Sequence, residues 1–282
     1  MRELLLTLTV LMSSAPLWHS MRLHAEEPVA TRKLWDDAFR KKRAATHEGE
    51  KAESEGESYL GITIWRLRSS APQDAAAGSA EAIKEPADWP AARVEAGTLF
   101  KPGERIRLGI ESARRGHLYV LDSEQYADGS RGETRMIFPT MRTRGGDNRV
   151  APGRLIEIPD LADTPPYFSL KRSRDDHVAD VVTILVTPRP IQGVALGREP
   201  QPVTTEQLAR WERDFGSAAS RLELPQGAGQ PRTTAEREAA SSPTRRLTHD
   251  DPLPQTLYRI DKLSPKGMLI EVSLSMSAAK TP

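Results

Sequence analysis

The chain contains no cysteine. Disulfides, thiolate zinc sites, catalytic thiols and a lipid-bearing cysteine are excluded together, so the fold must be held by burial and polar pairing alone. Neither sign of charge dominates, with 40 Lys and Arg against 39 Asp and Glu. No nucleic-acid surface and no trap for acidic ligands is therefore written into the protein as a whole. Aromatic residues make up only 5% of the chain, and the apolar run from Leu4 to Met12 is nine residues long. A bilayer span needs about 20. The G-x-S-x-G, H-E-x-x-H, G-x-x-x-x-G-K-[ST] and G-x-G-x-x-G signatures are all missing, which removes the common hydrolase, zinc-protease and nucleotide-binding motifs.

What is present favours an all-β body. Hydrophobic residues are 38% of the chain and the mean hydropathy is −0.53, low enough that part of the length must be polar connection rather than core. The 22 prolines and 19 glycines are scattered, as expected of short strands joined by many turns. Ile106, Leu108 and Ile110 alternate with Arg105, Arg107 and Gly109. That period of two places the first set in a core and the second in water. His117 to Leu121 has no polar break after its histidine and reads as a central strand covered on both faces. Asp128-Gly129 is a turn dipeptide between that strand and Met136 to Phe138, which predicts a hairpin.

Further strands are expected at Tyr59 to Leu67, Gly153 to Ile158, Val181 to Thr187, Thr256 to Ile260 and Met268 to Met276, each from alternation or a β-branched run. Between residues 201 and 251 the pattern breaks. Thr204 with Gln207 makes a capping box, Leu208, Trp211 and Phe215 share one helical face, and Gly216 follows. A helix with such a face needs a sheet to dock on. Thr233 with Glu236 starts a second, more polar helix, and GAGQPR and SSPTRR read as linkers.

The expected fold is mainly β, an antiparallel β-sandwich of immunoglobulin-like general architecture with a small helical insertion. It occupies residues 59–282, with a mobile linker at 69–88 and the helical insertion at 201–251. Residues 1–25 read as an export signal: Arg2, the apolar run, then small residues up to a cut after Ala25. An N-terminal anchor or a start at Met21 are the alternatives. Losing those residues leaves a net charge of zero and places the protein outside the cytoplasm, periplasmic or secreted. Residues 26–58 are highly charged. A short amphipathic helix through Leu34 and Ala38 is expected to precede a disordered stretch, with Arg40 to Arg43 solvated.

The strings LGITIWRLR, FKPGERIRLGIES, GHLYVLDSEQYADG, IFPT, GGDNRVAPGRLIEIP, PYFSL and VTILVTPRP resemble the bacterial family called domain of unknown function 4384, over about residues 59–195. His117 stands where that family usually has tyrosine. Members occur alone behind export signals or joined to kinase-like and caspase-like peptidase domains, which implies an accessory or sensory module and no particular chemistry.

The remaining residues offer little that is catalytic. His47, His117, His177 and His249 are far apart in sequence, which signals neither a zinc cluster nor a catalytic dyad. The RTRGGDNR stretch at 142–149 reads as a solvated surface loop. One constellation is a candidate metal site: Asp122, Glu124, Asp128 and, across the loop, Asp147 with Asn148 are hard oxygen ligands suited to Ca²⁺. In the alternative, Asp128 serves its turn and Asn148 its own loop. The expected function is a non-enzymatic interaction module that binds a protein or cell-envelope component through loops at one end of the sandwich, with the oligomeric state left open. The competing expectation is a hydrolase using Asp122, Glu124 and Asp128.

Overall fold

Alternating apolar residues build two antiparallel sheets that face each other. In the computed structural model, residues 43, 58–68, 89–224, 226–260 and 266–277 are described. The export signal, the charged segment apart from Arg43 and Ser58, and the connection 69–88 lie outside them. The first sheet has the order β11 (Ala219–Glu223), β12 (Thr256–Ile260), β1 (Ser58–Leu67), β3 (Arg105–Ser112) and β7 (Leu155–Ile158), with β2 (Ala91–Val94) beside β1 and β8 (Phe168–Ser169) beside β3. The second has the order β10 (Gln201–Val203), β5 (Thr134–Phe138), β4 (Gly116–Tyr126), β9 (His177–Thr187) and β13 (Met268–Ser275), with β6 (Arg149–Val150) beside β4. The segment 201–251, read from sequence as an insertion, thus supplies an edge strand to each sheet.

The inward faces follow the period of two. Leu60, Ile62 and Ile64 of β1 and Ile106, Leu108 and Ile110 of β3 meet Leu118 and Val120 of β4, Val182 and Ile184 of β9 and Ile270 and Val272 of β13 in one buried cluster. Each such side chain contributes roughly 1.5–3 kcal/mol by leaving water. Strand β4 is central, paired to β5 and β9, and the Asp128-Gly129 hairpin is present with Gly129 at φ 84°.

Both outward faces are covered by the chain itself. Helix α1 (Thr205–Phe215) starts at Thr204, whose hydroxyl accepts the Gln207 N–H, and lays Leu208 and Trp211 on Tyr119, Leu121, Leu185 and Leu269 of the second sheet. Helix α2 (Thr234–Ser241) has the full capping box of Thr233 and Glu236. Its Ala239 and Ala240, with Leu247 of the following segment, pack on Leu155 of the first sheet.

This second cover overturns the expectation that the Arg105, Arg107, Gly109 face of β3 lies in water. Arg107 is 0% exposed, its Nε donating to the Pro166 carbonyl, and Arg105 stacks over Trp89 and Tyr167. Gly109 leaves room for Trp65, whose Nε1 would lie 3.3 Å from an added Cβ. Buried ion pairs join this face to its cover: Arg93 with Glu236 and Arg232 with Glu157. Arg232 belongs to the stretch read as a linker, where residues 229–232 hydrogen-bond to β2. Buried charge survives here because Arg93 and Arg232 each find an opposite partner, and Arg93 donates in addition to the Leu253 carbonyl.

Candidate functional site

At the end of the sandwich where β4 finishes and β9 begins, the inward face changes from apolar to acidic. Asp122 and Glu124 continue the alternation of Leu118 and Val120, and Asp180 continues that of Ile184 and Val182. The register of β4 on β9 sets Glu124 opposite Asp180 and Asp122 opposite Val182. Three carboxyls therefore share the rim of the core.

Their environments differ. The Ser173 hydroxyl donates to Glu124 Oε2 at 2.6 Å and the Tyr126 hydroxyl to the same oxygen at 2.7 Å. Burial pushes the Glu124 carboxyl up, but these two donors outweigh it and hold the group below its usual range. Asp122 is pushed up to about 7, chiefly by burial and then by the neighbouring Asp180 and Glu124 charges. Asp180 is likewise pushed up to about 7 by burial and by Glu124. His177, fully buried, accepts the Ser173 N–H on Nδ1 at 3.3 Å. Its proton is thus on Nε2, which lies 2.9 Å from the Ala179 carbonyl and 3.1 Å from Asp180 Oδ1. Arg174 sits 4.0 Å above the Tyr126 ring.

The five oxygen ligands singled out from the sequence do not form one site. Asp122 and Glu124 are neighbours, whereas Asp128 is exposed and accepts the Ser130 N–H at 2.8 Å and the Ser130 hydroxyl at 2.6 Å, closing its own turn. Asp147 is bound by Arg149 at 2.9 Å and Arg154 at 2.6 Å. Asn148 donates to the Leu118 carbonyl at 3.0 Å and its Oδ1 lies 3.2 Å from His117 Nδ1, at the opposite end of β4. Among the described residues, no three His, Asp or Glu side chains are placed to hold one metal ion. Sequence reading missed Asp180, His177, Tyr126 and Ser173. Asp180 was within reach, since it keeps the inward parity of Val182 and Ile184 once β9 is extended to His177.

Comparison with known families, curated proteins and solved structures returns no match. The site must be judged on its own geometry. Among the described residues the exposed large apolar side chains are Leu99, 63% exposed, Met141, Leu196 and Val178, 40% exposed and two residues from Asp180. Leu99 and Val178 stand on either side of the end of β13, since Phe100 N–H donates to Ser275 O and Met276 N–H to Val178 O, both at 2.8 Å. The loop at 142–149 is less solvated than its composition suggests. Thr143 is buried and donates to Asp163 at 2.7 Å, and Arg144 donates to the Ala240 carbonyl at 2.7 Å, tying the loop to the C-terminal end of α2.

The paired aspartates make stability depend on pH. With folded-state values pushed up to about 7 from an ordinary 3.8, the folded protein keeps protons that the unfolded chain has released between those limits. Their contribution is full below about pH 4 and is lost as pH rises through about 7. Asp122→Asn removes one of the two titrations and leaves that of Asp180. At pH 8 this variant is expected to be more stable than the wild type by roughly 1–2 kcal/mol, a figure discounted for solvent screening at the rim of the core. Thermal melts at pH 5 and pH 8 read the effect, and parallel pH profiles for the two proteins would refute it.

Proposed function

We propose that the protein is an exported, non-enzymatic interaction module that binds a protein or cell-envelope component through the β4–β9 end of the sandwich. The observation that carries the reading is an exposed apolar side chain beside an acidic rim, a combination that the other exposed apolar residues, Met141 and Leu196, lack. Both outer faces are covered by the chain's own helices and connecting segments, whereas this end presents Val178 on the strand of Asp180, which stands opposite Glu124, with Leu99 across β13. An exposed valine beside acidic groups suits a partner that offers an apolar contact flanked by Lys or Arg. An accessory role is also what the family resemblance of residues 59–195 implies.

The test is capture from an envelope extract by the immobilised protein. Leu99→Glu with Val178→Glu should leave the melt unchanged, because both side chains are exposed, and abolish capture. Equal capture by this variant and the wild type would show that binding, if any, lies elsewhere.

One observation favours a second reading, that of a hydrolase. Glu124 is held ionised while Asp122 retains a proton near neutral pH, the division of roles that general acid–base catalysis needs. In this reading Asp180, and not Asp128, is the third carboxyl. Turnover of any hydrolase substrate that is lost in both Asp122→Asn and Glu124→Gln would favour it over the binding role.

A further inference from the structure

Arg43 is the one described residue of the charged segment that precedes β1, and it is buried rather than solvated, 3% exposed. Its guanidinium meets Glu111 of β3 side-on, Nε to Oε1 at 2.8 Å and Nη2 to Oε2 at 2.6 Å. Its remaining donors reach backbone carbonyls of a single stretch: Nη1 to Thr248 O at 2.9 Å and Asp251 O at 3.1 Å, and Nη2 to Pro252 O at 3.3 Å. An arginine has five N–H groups in a rigid plane, and this pocket presents an acceptor to each. A lysine, with three donors on one atom, does not match that arrangement.

The pocket is built into the fold. Glu111 lies opposite Gly61 of β1 in the sheet register, so no side chain of β1 covers the carboxylate. Gly153 opens the other wall, since a Cβ there would lie 2.6 Å from the Leu247 carbonyl and 3.6 Å from Arg43 Cγ. The three carbonyls are presented by a turn with its own bonds: Asp251 N–H donates to Thr248 O at 3.2 Å, and Asp251 Oδ2 accepts the Thr248 N–H at 2.6 Å and hydroxyl at 3.0 Å. Leu247 N–H donates to Gly153 O at 2.8 Å.

We propose that Glu111 and the carbonyls of Thr248, Asp251 and Pro252 form a guanidinium-binding site, and that this site is filled by the chain's own Arg43. Binding fastens the segment upstream of β1 to the sandwich and at the same time clamps residues 247–252 over the outer face of the first sheet. Without the guanidinium, a buried carboxylate and several carbonyls lose their donors at once, which is costly for each group left unpaired.

The experiment uses the full chain and three variants: Arg43→Ala, Arg43→Lys, and Arg43→Ala combined with Glu111→Gln. Arg43→Ala should melt lower than the wild type, and the amides of Leu247, Thr248 and Asp251 should exchange at least about tenfold faster with solvent. Millimolar methylguanidinium should raise the melting temperature of Arg43→Ala, since a ligand of the folded state alone stabilises it. It should not raise that of the variant that also carries Glu111→Gln. Arg43→Lys keeps the charge but not the fork, so it should melt and exchange more like Arg43→Ala than like wild type, and it carries the test if the alanine variant does not fold. Wild-type melting and exchange in either single variant, or equal responses to methylguanidinium with and without Glu111, would overturn the site. A wild-type melting temperature that rises with protein concentration would assign the arginine to a second copy and overturn the intramolecular contact.

Discussion

Leu108→Asp is expected to abolish the cooperative thermal transition. Leu108 is 2% exposed, sits between Ile64 of β1 and Ile158 of β7 in the register, and belongs to the cluster shared by both sheets. A carboxylate at that position would face apolar side chains from both sheets. It must either stay ionised without a partner or take up a proton at the expense of folding, and either course, added to the lost packing, exceeds about 4 kcal/mol. Domains of this kind have only about 5–15 kcal/mol in total. Leu108→Ala separates the charge from the cavity: it should cost about 2–5 kcal/mol and keep a sigmoidal melt. Circular dichroism at increasing temperature reads both, and a parent-like melt of the aspartate variant would place β3 elsewhere.

Glu157→Ala should cost about 3–5 kcal/mol, more than the loss of an ordinary surface ion pair by several fold. Glu157 is 0% exposed, and Arg232 Nη1 donates to its two oxygens at 3.0 and 2.7 Å. Burial pushes this carboxyl up, while the Arg232 charge and hydrogen bonds, with Arg107 nearby, oppose the rise. Deleting the carboxylate leaves the Arg232 guanidinium buried with its charge uncompensated. Replacing both partners with apolar residues, Glu157→Leu with Arg232→Met, removes the stranded charge and should recover most of the loss. Denaturant titrations of the three proteins decide the matter. A loss below about 1 kcal/mol in Glu157→Ala would mean that water reaches the pair.

What the sequence determined by itself was local. Alternation of Ile106, Leu108 and Ile110, of Leu60, Ile62 and Ile64, and of Met268, Ile270 and Val272 places those residues on the inward faces of strands, because side chains of a strand alternate sides whatever the partner. The N-cap at Thr204, which makes one bond of the expected box, and the Leu208–Trp211 face likewise specify α1 and its need for a sheet, since capping and helical periodicity act within a few residues.

Only the tertiary structure decided what lies against the other faces. Arg107, Glu111 and Glu157 stand at alternating positions that normally face water, and nothing near them in the chain signals otherwise. They are buried because the segments that cover them bring Arg43 and Arg232, 68 and 75 residues away from Glu111 and Glu157. The acidic site follows the same rule. Asp147 and Asn148, nearer in sequence to the Asp122–Asp128 stretch, are held elsewhere by Arg154 and His117, whereas Asp180 joins Asp122 and Glu124 through the pairing of β4 with β9. A period of two names the face on which a side chain stands, but strand pairing and long-range cover determine whether that face meets water, a counter-charge or another carboxylate.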